Sequence, residues 1–302
     1  MRRGFARIGL AVALGAALLA GVGNASARQR ATQIDWTPVG NAIGVQGKVQ
    51  PDGVYRIGLP RTDLHVKLDG VNLKPSFALG SYLVFLSTGG SNAMMMGDVV
   101  LTGREVEPVM LKLEQGGIEI TALHNHLIGE KPQVMYMHVM GSGNAVQLAQ
   151  AAHAALVLSK TPLKAAPAKA KDATVPFDTA ALDAAIGSAG KVDGGVYKFS
   201  IAPKYTVTSG GTTLPPSMGT TTALAFQPLG GKSKAAITGD FALLATQVNP
   251  VIRALRAHDI DVTALHSHML DAQPTVFFMH FFAKGDALTL AHGLRAGLDA
   301  MG

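Results

Sequence analysis

The chain has 302 residues, 48% of them hydrophobic and 15% charged, with a formal net charge of +6 and no cysteine. The missing cysteine excludes disulfides, thiolate metal ligands, a cysteine nucleophile and a lipidated cysteine anchor. The charge forms no basic aromatic stripe of the kind that nucleic-acid binding uses, and the length is enough to bury one or two cores unaided.

The N-terminus runs Met1-Arg2-Arg3-Gly4-Phe5-Ala6-Arg7, then an apolar stretch over 8–22, then Ala25-Ser26-Ala27. Charged, apolar and small segments in that order predict a secretory signal over 1–27, cleaved after Ala27. Paired arginines followed by Phe5 and Arg7 also fit the twin-arginine export pattern, beside an ordinary Sec signal. The apolar stretch is about 15 residues, short of the roughly 20 that span a bilayer, and nothing later is long and apolar enough to do so. The mature protein is therefore expected in the periplasm or secreted, with no transmembrane segment. Three of the formal positive charges, Arg2, Arg3 and Arg7, leave with the signal.

An internal repeat organises the rest. Thr121-Ala122-Leu123-His124-Asn125-His126 recurs as Thr263-Ala264-Leu265-His266-Ser267-His268, and Met137-His138 as Met279-His280. Gly97-Asp98 recurs as Gly239-Asp240, and Pro108 as Pro250. An Ala-, Lys- and Pro-rich stretch over 159–176 reads as a solvated linker, which gives repeat 1 over 28–158 and repeat 2 over 177–302.

Within repeat 1, period and punctuation predict a helix over 36–43 and strands over 45–50, 54–59, 81–86 and 93–101. A helix is then expected from Pro108 to Gly116, a β-hairpin pairing 118–127 with 133–140, and a closing helix over 144–158. Repeat 2 follows the same plan: a helix over 178–188, strands over 196–201, 221–226 and 235–244, a helix from Pro250 to His258 with Asn249 as N-cap, the second hairpin, and a helix over 286–301. Mixed helices and hairpins without repeated crossover units point to an α+β fold of two tandem, pseudo-symmetric repeats.

Gly97-Asp98, the Glu105-Val106 to Pro108 segment, and Gly117-Ile118 leading into Thr121–His126 and Met137-His138 resemble the LppY/LpqO family of bacterial envelope proteins. The resemblance covers essentially the whole mature chain and implies tandem copies of one domain in the cell envelope, with no established activity. Some relatives are lipoproteins; this chain lacks their cysteine, which implies a protein free in the periplasm.

Six of the ten histidines lie in the two hairpins: His124, His126 and His138, then His266, His268 and His280. Residues two apart in a strand share a face. A turn centred near residue 131 would put His124 directly opposite His138, and by the same reasoning His266 opposite His280. Three imidazoles per repeat could then hold Zn, Fe, Ni or Cu with one coordination position open. Glu130 is a fourth candidate ligand in repeat 1, where His124, His126 and Glu130 share the His-x-His-x3-Glu spacing of cupin metal sites although the chain does not read as a jelly roll. Repeat 2 has Ala272 at that position, with Asp271 one residue early. Met94, Met95, Met96, Met135, Met137, Met140, Met269 and Met279 suit Cu(I) chemically but read better as core filler. Asp98 and Asp240 read as turn or ladder residues, with orientation of a histidine as the alternative.

The expected function is binding of a transition metal or small ligand through the histidine hairpins. Two alternatives stand beside it: a non-catalytic envelope module binding glycan, peptide or protein, in which the histidines only pack, and a metal-dependent hydrolase or oxygenase. No nucleotide-binding loop or serine-nucleophile elbow is present.

Overall fold

A computed structural model describes residues 34–164 and 174–302. The signal expected over 1–27 and residues 165–173 of the linker lie outside the described residues. The first half comprises α1 (Thr37–Ile43), β1 (Lys48–Val49), β2 (Tyr55–Pro60), β3 (Lys67–Leu68), β4 (Val71–Asn72), α2 (Pro75–Ala78), β5 (Gly80–Gly89), β6 (Asn92–Thr102), α3 (Gly103–Gln115), β7 (Glu119–His124), β8 (Val134–Asn144) and α4 (Ala145–Leu156). The second half repeats the order with α5 (Thr179–Ile186), β9 (Lys191–Asp193), β10 (Val196–Ile201), β11 (Val207–Ser209), β12 (Thr212–Leu214), a 3-10 turn (Pro216–Met218), β13 (Thr222–Pro228), β14 (Lys234–Leu243), α6 (Ala245–Arg256), β15 (Asp261–His266), β16 (Phe277–Asp286) and α7 (Ala287–Asp299). The fold is α+β, built from two tandem repeats.

Each half contributes one antiparallel six-stranded sheet, ordered β1-β2-β5-β6-β8-β7 in the first and β15-β16-β14-β13-β10-β9 in the second. Alternation along the strands explains how the sheets stack. Leu83, Phe85, Met95, Val99, Met137 and Val139 point one way and pack beneath α1, α3 and α4 with Trp36, Val109 and Leu148. Phe199, Ile237, Phe241, Met279 and Phe281 do the same beneath α5, α6 and α7. The intervening residues point the other way and meet the opposite sheet: Val100 and Tyr136 share a core with Ala225, Ala236 and Phe282, and Val84, Met94 and Met96 share one with Ala242 and Phe278. The layers therefore run helix, sheet, sheet, helix. Both faces of β6 are covered, which is why Met94-Met95-Met96 and Val99-Val100-Leu101 form apolar runs instead of alternating with polar residues.

Two helix starts differ from the sequence expectation. Helix α3 begins at Gly103, not Pro108, because Thr102 caps it and its backbone N–H donates to Glu105 Oε2 at 2.8 Å. This is the reciprocal capping box, and Pro108 sits inside the helix. Helix α6 begins at Ala245, so Asn249 is not its N-cap; the Leu244 N–H donates to Gln247 Oε1 at 2.7 Å and Pro250 lies within the helix. Among the described residues no helix is long and apolar enough to cross a membrane.

The repeated Gly-Asp pair has a packing cause. A Cβ at Gly239 would lie 1.9 Å from the Ala223 carbonyl oxygen, and one at Gly97 would lie 2.8 Å from that of Tyr82. Only glycine lets these neighbouring strands approach so closely.

Candidate metal centre

The hairpins carry their histidines on the face turned toward the opposite sheet. His138 on β8 stands across from Asp98 on β6 and from Ala122 on β7, whereas His124 stands across from Tyr136. His124 is thus diagonal to His138 and not directly opposed as the sequence suggested. The turn is centred on residue 130 and not 131, which moves each partner by two positions; a separate register shift between Ile120 and Ala122 leaves Thr121 as an extra residue farther from the turn. Repeat 2 does the same, with its register shift between Val262 and Ala264: His280 stands across from Ala264 and Asp240, and His266 across from Phe278. His126 and His268 follow their strands, in the loops that lead to the cis prolines Pro132 and Pro274.

Sequence reasoning expected one cluster per repeat, but the face-to-face sheets merge them. The His124 and His266 rings stack at 3.4 Å between centroids, His126 stacks on His280 at 3.7 Å, and His138 on His268 at 3.8 Å, each pair crossing between the halves. The loops are tied together as well: Thr263 Oγ1 donates to the His126 carbonyl at 2.5 Å, and Asn125 Nδ2 donates to the Thr263 carbonyl at 3.2 Å. Tyr136 stacks on His126 at 3.3 Å, and Phe278 takes the equivalent place on His268 at 3.4 Å.

The hydrogen bonds orient the rings. Nδ1 of His124 faces the Asn125 carbonyl at 2.9 Å, Nδ1 of His280 faces the Gly239 carbonyl at 2.9 Å, and Nδ1 of His268 faces the Gly219 carbonyl at 3.4 Å. A carbonyl can only accept, so Nδ1 carries the hydrogen and Nε2 keeps its lone pair. All six Nε2 atoms, together with His266 Nδ1 and Asp98 Oδ1, are buried without a hydrogen-bond partner. Leaving one such group unsatisfied costs about 1–3 kcal/mol, so their concentration in one region of the protein is a feature that calls for a physical account.

Four sets of potential ligand atoms lie within 4.8 Å of one another: His124, His126 and His138; His124, His266 and His280; His138, His266 and His268; and Asp240, His268 and His280. Two of the four draw on both halves. An imidazole whose Nδ1–H is anchored to a carbonyl and whose Nε2 points into a shared space is the arrangement that metal-ligating histidines adopt.

Burial keeps the rings neutral. It lowers the proton affinity of His124, and that of His126, His138 and His268 well below the usual histidine value, with mutual repulsion among the rings adding to it for the last three. Burial first and neighbouring rings second bring His280 down to about 3, and His266 lower still. Asp98 is pushed up to about 8 by burial and by the charge of Asp240, and Asp240 to about 7 by burial. Asp98 Oδ2 lies 3.8 Å from His126 Nε2. The two aspartates therefore belong to the wall of the centre, a role that the sequence reading ranked below a turn.

Glu130 is not among these ligand sets. It is buried, but its Oε1 accepts from the Val134 N–H at 3.5 Å, so it braces its own loop. Asp271 is likewise turned away, accepting from Ser209 Oγ and the Gly210 N–H at the β11–β12 turn. The methionines pack: Met95, Met137 and Met279 under the helices, Met94, Met96 and Met269 between the sheets. The other histidines lie elsewhere, with Nδ1 of His153 on the Ile43 carbonyl and that of His258 on the Ala254 carbonyl.

Fold and site together define a two-repeat α+β protein with one histidine cluster shared by its halves. The chain belongs to the family described as Domain of Unknown Function (DUF1259), which matches it twice, over residues 37–158 and 180–300. No curated protein matches it. Among solved structures it is similar to a trimeric bacterial microcompartment shell protein, PduB, at 11% identity and a TM-score of 0.22, over 85% of this chain and 90% of that one. It is similar to EtuB from Clostridium kluyveri at 10% identity and a TM-score of 0.20, over 84% and 88%. Likeness at that level carries no argument about activity.

Proposed function

We propose that the protein binds a transition metal at the six-histidine cluster, with ligands drawn from both repeats. The observation that carries this reading is the convergence of six buried, unpartnered Nε2 atoms from two hairpins, several of them aimed by an Nδ1–H on a backbone carbonyl. All-nitrogen ligation with a nearby carboxylate suits Zn, Fe, Ni or Cu. We further propose that the protein works outside the cytoplasm after cleavage behind Ala27, as a relative of the LppY/LpqO proteins. The signal-like order of residues 1–27 supports the export, and the repeated hairpin motif supports the kinship.

The test is elemental analysis by plasma mass spectrometry on untagged mature protein, beside the variants His124→Ala/His126→Ala and His266→Ala/His268→Ala. Near-stoichiometric metal is expected in the wild type. Because two of the ligand sets span the halves, both variants should lose most of it. Wild-type protein that is isolated metal-free and takes up none of Zn, Cu, Ni or Fe would overturn the reading and favour an interaction module. That second reading has its own support in Leu123, Ile128, Leu265 and Leu270, which stand exposed beside the hairpins.

A further inference from the structure

The two halves are copies, yet the approaches to the histidine cluster differ. A cavity of about 160 Å³ opens beside α2, and its wall includes Ala78, Asp98, His126, Lys198, Asp240 and His280. Asp98 Oδ1 and the Nε2 atoms of His126 and His280 are buried there without partners; Asp98 and His280 are more than nine-tenths buried, and the His126 side chain is 15% exposed. Lys198, paired with Asp193 at 2.9 Å, lies on the same wall.

The pseudo-equivalent approach follows from the strand registers. Tyr82 pairs with Asp98 as Ala223 pairs with Asp240. The Pro75-Ser76-Phe77-Ala78 turn has its counterpart in Pro216-Ser217-Met218-Gly219, and Arg56 on β2 has its counterpart in Lys198 on β10. On the second approach the Tyr82 side chain reaches across to the opposite half. A Cβ at Gly219 would lie only 3.3 Å from the Tyr82 hydroxyl, and the Arg56 guanidinium sits 3.8 Å above the ring, holding it down. The Gly219 carbonyl is the one that faces His268 Nδ1, so the Tyr82 hydroxyl and the His268 ring meet the same residue. On the first approach the register-equivalent residue is Ala223, whose methyl group is not part of the cavity wall, and Ala78, in the place of Gly219, is. Three paired differences, Tyr82 for Ala223, Gly219 for Ala78 and Arg56 for Lys198, thus agree in closing one side and opening the other.

We infer that the centre admits an exogenous ligand through the Ala223 side alone, at a position walled by His126, His280, Asp98 and Asp240, while Tyr82 plugs the equivalent side. This rests on the metal reading for what the ligand binds to, but not for where it enters. The volume matches an aromatic ring, since a cavity of about 150 Å³ takes benzene, which sets the size of the group that sits inside. The wall offers imidazole lone pairs and the carboxyl groups of Asp98 and Asp240, with the Lys198 ammonium beside them. The ligand class is therefore a small polar molecule of about six non-hydrogen atoms, bearing an oxygen or nitrogen donor for the metal and polar groups that hydrogen-bond to the two carboxyls.

Two measurements test this separately from the metal. In the first, metal-free protein is treated with diethyl pyrocarbonate and the modified histidines are mapped by mass spectrometry. Within the cluster His126 and His280 should react and His138 and His268 should not; Ala223→Tyr/Ala78→Gly, which transplants the plug, should slow the reaction at least tenfold, and Tyr82→Ala should expose His268. Equal reactivity of His268 and His126 in the wild type, or no effect of either variant, overturns the inference. In the second, azide is titrated into cobalt(II)-loaded protein while the visible absorption is followed. A saturable shift that weakens at least tenfold in Ala223→Tyr/Ala78→Gly at unchanged cobalt content supports it, and an unchanged titration in that variant overturns it. A protein that takes up no cobalt and none of the four metals sinks the metal reading, and the histidine mapping still decides the entrance.

Discussion

Six neutral imidazoles packed into one space make stability depend on protons in a predictable direction. Each ring's folded proton affinity is depressed from about 6.5, so its contribution is present above that pH and is lost as the pH falls below it, because the unfolded chain gains protons that the fold refuses. Asp98 and Asp240 act with the opposite sign. Raised from 3.8 to about 8 and about 7, they contribute stability that is complete below pH 3.8 and lost as the pH rises through those values. Six rings outnumber two carboxyls between pH 6.5 and 5, each unmatched proton counting about 1.4 kcal/mol per pH unit. The melting temperature of metal-free protein should therefore peak near neutrality and fall on acidification from 6.5 to 5; a flat or rising profile there would mean that the rings are not held neutral. The identity of these six residues was legible in the sequence because they recur together in both repeats. Their mutual placement was not, since the hairpin turns about residue 130 instead of 131, and a shift of one residue in a long loop leaves no mark in composition.

Elements were more legible than their ends. The order of the long strands and helices follows from apolar period and glycine punctuation, whereas β3, β4, α2, β9, β11, β12 and the 3-10 turn, each of two to four residues, are too short to show a period. Pro108 and Pro250 suit a first helical turn but stand inside α3 and α6, and the stronger start signal for α3 is Thr102 with Glu105 three positions on. Glu105 does more than cap. Together with Asp63 it holds Arg61, a fully buried guanidinium that also donates to the Val100 carbonyl at 2.6 Å, and Glu105 accepts from the Lys160 N–H at 2.9 Å. This network ties α3, β6 and the segment after α4 behind the first sheet. Removing one partner of a buried pair strands the other, at a cost of about 3–5 kcal/mol. Arg61→Ala should lose stability on that scale by urea titration, and Asp63→Ala, at the more exposed end of the network, much less. A loss under 1 kcal/mol for Arg61→Ala would show that solvent reaches the pair.

At the scale of the whole molecule, the repeat was plain in the sequence but the way its copies embrace was not. The clue that could have revealed it is β6, whose unbroken apolar run calls for cover on both faces and therefore for a layer beyond its own helices. Each sheet buries its inner face only against the other, with Val84, Met94, Met96 and Val100 on one side and Ala225, Ala242, Phe278 and Phe282 on the other. Residues 28–158 produced alone should accordingly pair with themselves or aggregate, as measured by light scattering on a sizing column, and co-production with 177–302 should restore a one-to-one complex. A well-behaved monomer of the first half with a full metal load would contradict both the shared core and the shared ligands.

The cross-half stacks of His124 on His266 and of His126 on His280 have the form of a symmetric dimer joined into a single polypeptide. Two identical subunits must change both entrances together, because any mutation appears twice. Once the copies share one chain, each entrance is inherited separately, and a tyrosine can be kept at position 82 while an alanine stands at 223. Fusion thereby gives a twofold framework something that symmetry forbids, a front and a back.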